Sequence, residues 1–235
     1  MRRLLVLFAA LLLASFSARA ETLPLPEGLV ALDSPEGEAL LLGAEARRDY
    51  FPLAMHFVTQ VNPAFCGPAS ISMVLNALNV PRPASDLTLG LGMFDQANVF
   101  TARTEAVKPQ AEILEGGITL AQLAAMLAAH DLKVQVRHAE DIHLETFRHQ
   151  ASAALADSFR FVLVNYLRSA IGQETGGHIS PLAAYDADTD RFLILDVTRY
   201  KYPPVWVTAS ALFDAMNTPD SDAVGKTRGY VLVGR

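Results

Sequence analysis

Helix-like and strand-like patterns are segregated along this chain, and that order restricts the folds open to it. Residues 66–79 place Ile71, Val74, Leu75 and Leu78 on one face at helical spacing. Pro68 fits a first turn, and Val80-Pro81-Arg82-Pro83 stops the helix. Thr119 caps a second helix through about residue 130; residues 141–156 and 208–216 give two more. Strand-like runs come mostly afterwards, at 159–167, 179–185, 192–197 and 229–233, with another at 133–137. Residues 21–50 read as loop, apart from a short helix over 38–48. Helices first and an antiparallel sheet afterwards is an α+β pattern, and the absence of repeats or low-complexity linkers favours one domain.

The start of the chain reads differently. Arg2 and Arg3 precede an apolar run from Leu4 to Phe16, and Ala18-Arg19-Ala20 supplies the small residues of a cleavage site. This layout predicts an export signal over residues 1–20, cleaved after Ala20, and a mature domain over 21–235 in the periplasm or secreted. The apolar run is shorter than the ~20 residues of a membrane span, so no membrane association is expected after cleavage. Cleavage removes three of the 19 Lys and Arg residues and none of the 25 Asp and Glu, leaving a formal charge of −9. An acidic chain without a basic run is a poor nucleic-acid binder.

An exported chain usually holds cysteines in pairs; this one has a single cysteine, Cys66. It falls at the predicted start of a helix, where the dipole favours the thiolate that acts as a nucleophile. Gln60 lies six residues upstream, at the reach of an amide that donates to an oxyanion beside the N–H of Cys66. Of the six histidines, His178 follows Gly176-Gly177 and begins a strand. On the next strand Phe192-Leu-Ile-Leu195 closes on Asp196, a local conflict of the kind that marks functional sites. A hairpin turning at residues 186–190 sets Asp196 nearly opposite His178 on one face, about 5–8 Å away. Cys66, His178 and Asp196 then form a nucleophile, base and orienting acid.

Four separated segments resemble the catalytic domain of the phytochelatin synthase family: Asn62-Pro-Ala-Phe-Cys66-Gly67, Asn165-Tyr-Leu-Arg168, Gly176-Gly177-His178-Ile-Ser-Pro181 and Asp196-Val-Thr-Arg-Tyr-Lys-Tyr-Pro-Pro204. Asn217-Thr-Pro-Asp220 and Lys226-Thr-Arg228-Gly229 extend the likeness, which is to the short bacterial form. The resemblance implies a papain-like fold, with a helical half carrying the nucleophile and an antiparallel sheet carrying His178 and Asp196. It implies cleavage of the Cys–Gly bond of glutathione through a Cys66 thioester, with γ-glutamylcysteine passed to water or to a second glutathione. Gln60 matches the oxyanion glutamine. Asp220 and Arg228 match the pair that holds the γ-glutamyl head, a zwitterion needing an anion for its ammonium and a fork for its carboxylate. Asn165 and Gly177 join them as substrate-binding positions. Hydrolysis then needs no cofactor, heavy-metal ions such as Cd2+ enter as glutathione thiolates, and the partners are glutathione and related thiol peptides, with a homodimer compatible.

Two alternatives stay open. One is a general papain-like peptidase of exported peptides, sharing the triad but needing no zwitterion pair. The other is a thiol or metal-binding module, which a lone cysteine serves poorly. Asp186, Asp188 and Asp190 imitate the start of a calcium loop, but Arg191 stands where that loop needs glycine and Val197 where it needs glutamate, so no metal site is expected. Tyr200, Tyr202 and Trp206 are candidates for either a cleft wall or packing.

Overall fold

The computed structural model describes residues 22–174 and 176–235; the expected export signal lies outside them. Its centre is a seven-stranded antiparallel sheet: β1 (Val30–Ala31), β2 (Lys133–His138), β3 (Arg160–Leu167), β4 (Gly177–Asp186), β5 (Arg191–Ile194), β6 (Val205–Thr208) and β7 (Gly229–Gly234), in the order β1-β6-β5-β4-β3-β7-β2. Eight α-helices accompany it among the described residues: α1 (Pro35–Gly43), α2 (Tyr50–Met55), α3 (Cys66–Ala77), α4 (Ala102–Glu105), α5 (Gln110–Gly116), α6 (Leu120–Ala128), α7 (Leu144–Ala156) and α8 (Ala209–Met216).

Alternation along the central strands makes two cores. On β3, Phe161 and Leu163 face one way and pack with α3 and α6, through residues such as Ile71, Leu75, Leu123 and Leu127. Val162, Val164 and Tyr166 face the other way and pack with Phe147 and Ala151 of α7 and Leu212 of α8. With both faces covered, β3 reads as a continuous apolar run rather than an alternating one. The fold class is α+β, as the order of patterns predicts.

The ends of elements show which local signals won. Thr119 caps α6 and Thr208 caps α8, each accepting from the N–H three residues on, and Gln122 completes a capping box with Thr119. The first helix starts earlier than the expected residue 38, because the Ser34 side chain accepts from the Gly37 N–H and caps Pro35–Gly43. It stops short of residue 48 because Ala46 pairs instead with Tyr185 of β4. The strand expected over 192–197 ends at Ile194. No helix among the described residues is long and apolar enough to cross a membrane.

Candidate active site

Cys66 is the first residue of α3, a helix buried along its whole length. Phe65 at the N-cap offers no side-chain bond, so the first-turn N–H groups and the positive end of the helix face the thiol. Ser70, one turn on, donates to the Ile179 carbonyl at 3.2 Å and fixes the helix against β4 beside His178. His178 is the second residue of β4 and pairs with Tyr166 of β3. A register shift between Leu182 and Ala184 precedes the point where Ile194 meets Leu182. Continuing that register sets Asp196 across from Ser180, on the face His178 shares, since the period of a strand is two.

The three groups meet. His178 Nε2 lies 2.9 Å from Asp196 Oδ1, and Cys66 is a hydrogen-bond partner of the same ring. With Nε2 committed to the carboxylate, Nδ1 is the nitrogen left for sulfur. Cys66, His178 and Asp196 are all buried. Burial pushes the Cys66 thiol up; the bond and charge of His178, with the backbone of Ile179 and Gly67, bring it below its ordinary value. Burial, with the charge of Arg168, pulls the His178 imidazole down, but the charge and bond of Asp196 together with the bond to Cys66 outweigh them and the net direction is up. A lowered thiol beside a raised imidazole is the arrangement of a thiolate–imidazolium pair. Burial alone would raise the Asp196 carboxyl; His178 and Arg168 outweigh it and hold it at about 2.

Two members of this cluster escaped the sequence reading. Arg168 Nη2 donates to Asp196 Oδ1 at 2.8 Å, and the pair is buried. Its guanidinium also bonds Gln173 and lies 5.5 Å from the centre of the Tyr202 ring. Ser180 Oγ sits 2.9 Å from His178 Nε2 and accepts from the Val197 N–H. Arg168 closes the apolar run of β3 as Asp196 closes that of residues 192–195, so the conflict that flags Asp196 flags Arg168 too. Ser180 gives no such sign in the sequence.

Gln60 is buried, and its amide is occupied. Nε2 donates to Asn62 O at 2.8 Å and to Tyr200 Oη at 3.3 Å, while Oε1 accepts from Thr198 Oγ1 at 2.8 Å. Donation to an oxyanion requires exchanging one of the first two partners. Of the aromatic candidates, Trp206 is core, donating to Gly37 O, and Tyr202 is buried with its hydroxyl accepting from Glu174 N. Tyr200 is half-exposed beside Gln60.

A cavity of about 420 Å³ opens on this cluster, and its walls include Cys66, His178, Asn165, Gly177, Asp220 and Arg228. Asp220 and Arg228 sit at either side of a short loop closed by the bridge of Pro219 to Thr227. Their nearest charged atoms are 3.7 Å apart, both side chains being buried. Arg228 is steadied by Thr218 Oγ1 at 3.1 Å and by Pro219 O, and its buried Nε has no partner among the described residues. Asn165 Nδ2 approaches Asp220 Oδ2 at 3.4 Å, so Asn165 orients the acid as well as lining the cavity. A Cβ on Gly177 would meet Arg228 Nη2 at 3.2 Å, and one on Gly229 would meet Arg137 O at 2.0 Å. Both glycines thus let the arginine and its strand come in close. The described residues hold no cluster of His, Cys, Asp and Glu suited to a metal ion.

The cavity unites a polarised thiol, its base, an ion pair and an unpartnered guanidinium nitrogen, a set suited to acyl transfer on a zwitterionic substrate. Over residues 20–230 the chain matches the family model described as phytochelatin synthase. It is similar to glutathione gamma-glutamylcysteinyltransferase 3 of Lotus japonicus, 34% identical over 226 residues, which is 95% of this chain and 46% of that protein. The glutathione gamma-glutamylcysteinyltransferase of Schizosaccharomyces pombe is 31% identical over 89% of this chain and 50% of its own length. For glutathione gamma-glutamylcysteinyltransferase 1 of Arabidopsis thaliana the figures are 31%, 95% and 45%. The chain spans about half the length of these curated relatives.

Proposed function

The chain belongs to the phytochelatin synthase family, and on that premise we propose that it is a papain-like enzyme that cleaves the Cys–Gly bond of glutathione through a Cys66 thioester. The observation that carries the reading is one cavity joining Cys66 and His178 to Asp220 and Arg228. Glutathione offers a γ-linked glutamate whose free ammonium and carboxylate match that acid and that guanidinium.

The Cys66 thiolate attacks the carbonyl carbon of the substrate's cysteinyl residue. The oxyanion forms against the N-terminal turn of α3 and, after Gln60 gives up one of its present partners, against its amide. His178 donates its proton to the departing nitrogen, so the C–N bond breaks and glycine leaves as the neutral amine. The γ-glutamylcysteinyl group stays on sulfur as a thioester. Water, or the amine of a second glutathione, then attacks the thioester with His178 as base, and the thiolate is restored. Asp196 stays ionised and holds the imidazole in the tautomer that faces sulfur. No step calls for a resident cofactor; Cd2+ enters as a thiolate complex of the substrate. Residues 1–20 supply the export signal that places the reaction outside the cytoplasm.

Glycine release tests this. The purified chain should release glycine from glutathione and much less from the isomer whose glutamate is α-linked, and Cys66→Ser should release none. Equal rates on the two isomers would favour a general peptidase; release by Cys66→Ser would remove the thioester.

A further inference from the structure

A larger cavity, about 800 Å³, lies away from the catalytic cluster and shares no wall residue with it. It is formed where the connection between α1 and α2 meets the connection between α7 and β3, and its walls include Arg48, Asp49, Phe51, Phe159 and Phe161. Phe161 and the active-site Asn165 are four residues apart on β3, about 13 Å at the rise of a strand.

Three features of this cavity have no use in the proposed reaction. Asp49 is 1% exposed, and its Oδ2 has no hydrogen-bond partner among the described residues. Buried polar atoms are almost always paired, so an orphaned carboxyl oxygen calls for a partner from outside the chain. The second feature is an acid just outside the walls: the charge of Asp157 adds to burial in disfavouring an ionised Asp49, and Asp157 accepts from the Ser158 N–H at 2.7 Å. The third is a pair of aromatic rings. Phe51 is 61% and Phe159 58% exposed, and Phe159 is held at φ 65°, a left-handed conformation costly for an aromatic residue.

We propose that this cavity is a second small-molecule site whose ligand carries an ammonium group, seated against Asp49 with the rings of Phe51 and Phe159 as its apolar and cation–π wall. The ammonium supplies donors to the orphaned carboxyl and balances the charge that Asp49 takes on as it ionises. The other charged groups around the cavity are engaged elsewhere, apart from Arg48, an exposed wall residue. Glu45 accepts from Ala187 N, Arg47 donates to Ala44 O, Asp186 of β4 accepts from Thr189, and Arg48 is exposed. Burial, then the charge of Asp157, push the Asp49 carboxyl up to about 9, so it is protonated in the empty protein at neutral pH. Binding a cation therefore expels that proton.

The test uses benzylammonium with the full chain, and benzoate as the isostere of opposite charge. Calorimetry in buffers of different ionisation enthalpy should show about one proton released per ligand bound near pH 7. The affinity should rise about tenfold per unit between about pH 6 and pH 8, because the ligand takes the ionised form. Asp49→Asn should bind at least tenfold more weakly with no such pH dependence; benzoate should not bind. Absence of benzylammonium binding, pH-independent binding without proton release, unchanged affinity in Asp49→Asn, or equal binding of benzoate would each overturn the proposal. The readout is binding alone, so its failure leaves the proposed catalysis untouched.

Discussion

Arg168 and His178 share one oxygen of Asp196, at 2.8 and 2.9 Å. The shared acceptor makes Arg168 a positioning residue with an electrostatic consequence: its charge opposes that of the imidazolium, and it is among the influences that pull His178 down. Replacing it by methionine removes that opposition. The His178 imidazole then rises further above its ordinary value, and the basic limb of the kcat/KM profile moves to higher pH. Loss of a charge-assisted bond worth about 1.5–3 kcal/mol should lower kcat/KM by about 10- to 150-fold. Arg168→Lys should restore the position of the limb, and only part of the rate, since a point charge lacks the second arm that holds Gln173. A basic limb that stays in place in Arg168→Met would show that Arg168 only fills space. Cys66, His178 and Asp196 were legible in the sequence because each breaks a local pattern: a lone cysteine at a helix start, a histidine after two glycines, an acid closing an apolar run. Arg168 closes an apolar run in the same way, but its partnership with Asp196 was not legible, because only the fold shows the two buried together.

In the proposed reaction the loop between α8 and β7 sets substrate choice. Thr218 and Pro219 hold Arg228, Asn165 of β3 orients Asp220, and Gly229 lets β2 close over the strand that begins there. Arg228→Ala should lose about 10- to 150-fold in kcat/KM on glutathione. It should lose little on a glutathione analogue lacking the glutamyl α-carboxylate, since the group Arg228 reads is then gone. Equal losses on both substrates would assign Arg228 to holding the loop. The roles proposed for Asp220 and Arg228 came from family likeness, because a polar loop carries no periodicity to read. Among the strands, β1 and β6 were missed for a related reason. Two-residue β1 exists only through its pairing with β6, and β6 follows Pro203-Pro204, which reads as a break. Helices α6 and α8 were readable because a threonine cap and a 3.6-residue period agree within each, and α3 because its period and the prolines after it do.

Across the molecule, one sheet serves two purposes. It separates two apolar cores, and its strands β3, β4 and β7 bring residues from positions 165 to 228 to one cavity at the start of α3. The α+β class followed from the order of patterns, but the covering of both sheet faces did not, since α7 lies between strands in sequence and its side of the sheet is a matter of long-range packing. That convergence makes Cys66 the centre of the proposed chemistry, and it is tested most directly by the mass of the protein itself. The chain is mixed with glutathione, quenched in acid within the first turnovers, and weighed intact and after digestion. The proposed chemistry predicts an added mass equal to γ-glutamylcysteine less one water, located on the peptide containing Cys66 and absent from Cys66→Ser. Glycine released with Cys66 unmodified at every time point, or the adduct on another residue, would contradict it.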